Sequence, residues 1–139
     1  MLGRLLVASA LVTATPVLSR DVSHTGSISF QPQVRGMGCL KPDARAMVRQ
    51  LVSRIGPIQI TSTCGGRHAR NSQHYRGRAV DFRPRATSAR GAVAALRRMA
   101  RVGGVGSYSN GIVHADVGSR VHSWHGRGSA RRYGRAYRR

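Results

Sequence analysis

The sequence predicts a small single α+β domain in which an antiparallel sheet carries two main helices. Three observations lead there. Apolar residues recur at three- and four-residue steps in two stretches, one opening at Pro42 and one at Ala89. Short β-branched or alternating stretches, Ile58–Thr63 and Ile112–Val117 among them, lie between and after those stretches. An Asn110-Gly111 pair then offers the backbone freedom of a tight hairpin. A length of 139 residues with 40% apolar residues closes one modest core and leaves no room for a second, while 5% aromatic residues are too few for an aromatic-rich binding platform.

Residues 1–19 have the form of a signal peptide: Arg4 precedes the apolar run Leu5–Val12, and Val17 and Ser19 are small residues three and one positions before a cut. That run is shorter than the roughly 20 residues of a membrane span. A buried N-terminal helix is the alternative, but nothing polar interleaves at helical spacing. Residues 20–38, rich in Ser, Gly, Gln and Pro, form an extended leader that docks only where Ile28 and Phe30 point inward.

The first helix starts at Pro42, buries Ala44, Met47, Val48, Leu51, Val52 and Ile55, and stops at Gly56-Pro57. Ile58–Thr63 is then a strand running into Cys64, and Ala79–Phe82 a short second one. Thr87 or Ser88 caps a second helix whose apolar side is Ala89, Val93, Leu96 and Ala100, ended by Gly103-Gly104. Gly106–Tyr108 and Ile112–Val117 flank the hairpin turn. Six Arg among Gly, Ser, Ala and Tyr predict a disordered tail at 126–139.

Charge narrows the chemistry. There are 24 Lys or Arg against 4 acids, a net charge of +20, and no Glu, so a mechanism built on paired glutamates is excluded. Only Asp21, Asp43, Asp81 and Asp116 remain as carboxylates. Export would carry Cys39 and Cys64 into an oxidising compartment, where an even count fits one Cys39–Cys64 disulfide; a metal site or reactive thiol is the alternative, with no Cys-x-x-Cys pair to favour it.

The informative stretches are Asn71–Asp81 and Val113–Gly118, each holding a His and an Asp. Residues two apart on a strand share a face, so His114 and Asp116 project together while Val113, Ala115 and Val117 face the core. A loop carrying His74, turned by Gly77 into a strand that presents Asp81, could deliver imidazole and carboxylate to one point. Two imidazoles and one carboxylate suffice for a catalytic zinc with one open position.

Ser72, His74, Gly77, Ala79 and Asp81 form a Ser-x-His-x-x-Gly-x-Ala-x-Asp pattern that resembles the zinc D-alanyl-D-alanine carboxypeptidases, the VanX dipeptidases and the related hedgehog signalling domain. The later His-x-Asp-x-Gly at His114, Asp116 and Gly118, preceded by Gly-Gly-Val-Gly at 103–106, resembles the exported murein-peptidase branch. The resemblance covers about residues 39–124, within a domain expected over 39–125, and implies a hedgehog- or DD-peptidase-like fold with His74, Asp81 and His114 as ligands of one Zn2+. It implies a periplasmic or envelope metallopeptidase, of carboxypeptidase or endopeptidase type, that hydrolyses amide bonds in peptidoglycan peptides.

Many relatives carry an acid three residues before the second ligand His; here that position is Gly111. Asp116 is then the remaining carboxylate for the general base, or an acceptor that orients His114, in which case His122 substitutes as base or donor. Relatives also hold substrate with an Arg after the first strand, for which Arg67 is the candidate, a solvated role being the alternative. Ser72 joins the expected substrate-binding set, and Trp124 either walls the cleft or belongs to the core. Expected partners are peptidoglycan peptides and the anionic cell envelope, with no intracellular nucleic acid, and the chain is expected to be a monomer. The readings from other classes are a secreted, strongly basic envelope- or nucleic-acid-binding protein and a zinc-bearing domain without catalysis.

Overall fold

The computed structural model describes residues 27–65 and 72–127. The segment expected to be a signal peptide, Arg67 and the Arg-rich stretch beyond 127 lie outside the described residues. The elements run β1 (Ile28–Phe30), α1 (Pro42–Ile55), β2 (Ile58–Ser62), β3 (Ala79–Pro84), α2 (Ala89–Arg97), β4 (Gly104–Tyr108), β5 (Val113–Asp116) and β6 (His122–Gly126).

Helix α1 has the bounds its apolar spacing predicts. Pro42 occupies its first turn, all six predicted residues are buried, and Gly56 ends it at φ +80°, a conformation that side-chain-bearing residues rarely adopt. Helix α2 is capped by Ser88, whose Oγ accepts from the Gly91 amide at 3.1 Å. It stops at Arg97, short of the predicted Ala100, because Arg98 and Met99 donate three residues back, to Ala95 and Leu96, and tighten the last turn. Arg101 then turns the chain at φ +71°, which leaves Ala100 exposed and seats Met99 in the core instead.

The sheet has the order β1-β2-β3-β5-β4-β6. The three inner pairings, β2 with β3, β3 with β5 and β5 with β4, are antiparallel as predicted. Both edges depart from a strictly antiparallel sheet: β1 pairs parallel with β2, and β6 pairs parallel with β4. The first departure follows from α1, since a helix between two strands of one sheet returns the chain in its original direction. The second follows from Gly103 and Gly104. The segment 117–121 crosses the start of β4, where a Cβ on Gly103 would strike the Gly118 and Arg120 carbonyls, so the bare backbone lets the chain pass from β5 to the far side of β4.

Ile28 packs partly on the core, whereas Phe30, expected to point inward, is 37% exposed on the edge strand. Strand β6 reaches Gly126, the first residue of the expected tail. Ile58, Ile60, Val80, Phe82, Val105, Val113 and Ala115 bury one face of the sheet in a single core with the apolar stripes of the two helices. Leu51 and Phe82 are fully enclosed, the kind of side chain whose burial contributes about 1.5–3 kcal/mol each. The other face holds the polar residues of the inner strands. The Cys39–Cys64 disulfide is formed, with the two Cα atoms 6.1 Å apart, and ties the segment before α1 to the end of β2.

Candidate metal centre

Register brings the two motifs together. Asp81 on β3 stands directly opposite His114 on β5, and Ala79 opposite Asp116. Period-two alternation sends Val80, Phe82, Val113 and Ala115 into the core, so Asp81, His114 and Asp116 share the opposite face. His74 reaches the same point from a turn over residues 73–77, closed by Arg76 and Arg78 amides donating to the Gln73 carbonyl and by Gly77 donating to His74. Gly77 holds φ +66°, where a Cβ would lie 2.7 Å from the Cys39 carbonyl, so glycine is required.

One ligand atom each of His74, Asp81 and His114 lies within 4.8 Å of the other two. Asp81 Oδ1 is 2.8 Å from His114 Nδ1 and 3.3 Å from His74 Nε2, and the two ring nitrogens are 3.2 Å apart. The outer ring atoms explain the orientation. His74 Nδ1 lies 2.5 Å from the Thr63 carbonyl, which can only accept, so this nitrogen carries the proton and Nε2 turns its lone pair inward. His114 Nε2 lies 3.2 Å from Asp116 Oδ2, which likewise frees Nδ1 toward Asp81. Two lone pairs and a carboxylate oxygen thus converge at hydrogen-bond spacing among buried groups, an arrangement that needs a shared proton or a cation. A metal ion fits the donor set.

In the metal-free chain the electrostatics favour the shared proton, held on His114 between two carboxylates. Burial would raise the Asp81 carboxyl, but hydrogen bonds to His114 and His74 hold it well below the usual carboxylate range. Burial would lower His114, yet the carboxylates of Asp116 and Asp81 on its two sides outweigh it and raise the ring to about 9. Asp116 is itself committed. Its Oδ1 accepts from the Gly104 amide at 2.9 Å and the Gly118 amide at 2.8 Å, while Oδ2 takes His114. With His114, these bonds hold its carboxyl below the usual range against the effect of burial.

Strands β4 and β6 complete the face. Gly104 stands beside His122 and Gly106 beside Trp124, and a Cβ on Gly106 would collide with the indole. Trp124 therefore lies flat over bare backbone, its ring 4.9 Å from that of His114, as a wall of the site and not a member of the apolar core. The exposed His122 stacks on Trp124 at 5.1 Å with 15° between the planes, and its Nδ1 is 3.0 Å from the Arg120 carbonyl, a contact that suits the tautomer with its lone pair on Nε2. Ser72 lies half-buried just ahead of the turn that carries His74.

Sequence reasoning missed four contributors: the Thr63 carbonyl, the Gly104 and Gly118 amides, and Tyr108. Tyr108 lies half-buried on β4, its hydroxyl pushed up by burial and by the nearby Asp81 charge. The Gly-x-Gly spacing of Gly104 and Gly106 was the available signal, since two glycines two apart on a strand leave room on one face for large side chains of a neighbour. Gly111, three residues before His114, holds φ +81° in the hairpin turn, where a side chain would be strained. Comparison of the chain with protein-family models, with curated proteins and with solved structures gives no match, so the site is assigned from its geometry.

Proposed function

We propose that the chain is a zinc-dependent peptidase that hydrolyses amide bonds in peptidoglycan peptides containing D-amino acids, and that it works in the periplasm or cell envelope. The observation that carries this reading is the inward turn of both imidazole lone pairs toward Asp81, each enforced by an acceptor behind the ring. A donor set of two histidines and one carboxylate is that of hydrolytic zinc sites with an open position. A zinc ion held by His74, Asp81 and His114 supplies Lewis acidity to the scissile carbonyl and to the attacking water.

The protein's own residues do the rest. Asp116 holds the His114 ring by its Nε2 proton, and with two backbone amides fixing its Oδ1 it acts as the group that orients this ligand. His122, whose Nδ1 contact to the Arg120 carbonyl suits a lone pair on Nε2 and whose ring is braced on Trp124, takes the proton of the attacking water and returns it to the leaving amine. Trp124 offers a flat apolar wall beside the reacting bond.

The test is elemental analysis of purified chain together with turnover on muropeptides. One zinc per chain is expected, with metal and activity lost together in His74→Ala, Asp81→Ala and His114→Ala. Full metal retention in all three variants defeats the ligand assignment. A zinc-loaded chain inert on a broad muropeptide set supports instead a metal-bearing, basic envelope-binding domain.

A further inference from the structure

The Cys39–Cys64 bridge lies against the turn that delivers His74, and the contacts run along two paths. On one side Cys64 directly follows Thr63, whose carbonyl accepts the His74 Nδ1 proton. Thr63 is buried, and its Oγ1 is 3.7 Å from Cys39 Sγ, so the bridge also touches this residue's side chain. On the other side Lys41, two residues after Cys39, donates its amide to the Gly77 carbonyl at 2.8 Å, and the Gly77 amide donates to the His74 carbonyl at 3.0 Å. Between the two paths, the place where a Gly77 Cβ would stand is 2.7 Å from the Cys39 carbonyl and 3.6 Å from Cys64 Sγ. The turn is gripped from both flanks by segments that the disulfide joins.

We propose that the Cys39–Cys64 disulfide is a positioning device for the metal ligand His74, setting metal affinity by holding the Thr63 carbonyl and the 73–77 turn in register. Asp81 and His114 need no such device, because they stand opposite each other on paired inner strands. His74 is the one ligand delivered from outside the sheet, and without the bridge its ring keeps no fixed acceptor to set its tautomer. Groups that orient a metal-ligating histidine from behind typically change affinity by about 10- to 100-fold when lost. The inference rests on the metal reading above.

The experiment compares purified wild type with the pair Cys39→Ser/Cys64→Ser, in which serine avoids new thiol ligands, and with Gly77→Ala, which keeps the bridge but drives a Cβ into the Cys39 carbonyl. Zinc affinity is read by competition with a chromogenic chelator, and the His74 Nδ1 proton by imidazole-edited NMR on the metal-free chain. Both variants are expected to bind zinc about tenfold or more weakly and to lose the slowly exchanging His74 proton, while amide dispersion reports a retained fold. Wild-type affinity together with an unchanged imidazole signal in the serine pair overturns the proposal. Should the serine pair not fold, the imidazole signal of the folded metal-free wild type before and after phosphine reduction of the bridge decides, an unchanged signal overturning the proposal. A wild-type chain that takes up no zinc overturns the metal reading instead, and the imidazole signal alone then judges the disulfide's role.

Discussion

Two chemical roles compete for the carboxylate of Asp116, and one substitution separates them. A general base needs an oxygen facing the reacting water; here the two backbone amides both fall on Oδ1, while Oδ2 meets only His114, so the hydrogen bonds support the orienting role and the base role is decided by substitution. Asp116→Asn turns an amide NH2 toward His114 Nε2 and favours the tautomer that puts the proton on Nδ1, the ligand atom. The expected outcome is a loss of zinc affinity of about 10- to 100-fold, read by chelator competition. Retained affinity with turnover cut by about 10²-fold or more would return the base role to Asp116. His114 adds a pH dependence. Its ring rises from an ordinary 6.5 to about 9 in the metal-free fold, so its contribution to stability is complete below about pH 6.5 and fades as pH climbs through 9. Chemical denaturation of metal-free chain should therefore show a falling midpoint from pH 6.5 to 9. Zinc, which replaces that proton, should remove the decline, and a flat profile without metal would contradict the assignment.

Among the elements, local pattern made some legible and pairing hid the others. Helix α1 and strand β5 could be read directly, because a 3.6-residue stripe and a period-two alternation each describe a single buried face. The facing of His114 and Asp116 followed from that alternation alone. Strand β6 could not be read: as an edge strand its side chains are exposed or half-buried, so His122–Gly126 carries no apolar alternation. The parallel edges depend on where the chain crosses, and the crossing at Gly103 shows only in three dimensions. The roles of Thr63 and Gly104 were hidden for a related reason, since both act through backbone atoms. Gly104→Ala tests this layer. The new Cβ would meet the Asp116 carboxylate and His122 Cε1, and overpacking of this kind costs about 1–3 kcal/mol. Thermal unfolding should shift down accordingly, and an unchanged midpoint would mean that β6 and Asp116 yield easily.

Over the whole molecule, charge is divided by location. Asp81 and Asp116 are buried in the site, and Asp43 is paired with Arg78 at 2.8 Å, so among the described residues every acid is engaged and the surface is left to arginine. That pair is two-fifths exposed on both sides and contributes little to stability. The same distribution separates docking from chemistry. A surface field of one sign concentrates the protein on anionic polymer and weakens as salt shortens the screening length, whereas a neutral peptide entering the site feels little of it. Raising ionic strength should therefore lower the apparent affinity for intact anionic envelope polymer by about tenfold or more while leaving kcat/KM on a small neutral muropeptide nearly unchanged. Parallel sedimentation and turnover assays over one salt series measure both. Equal losses on polymer and small peptide would place the salt-sensitive contacts inside the site, and salt-independent binding to polymer would remove the basic surface from the account of substrate capture.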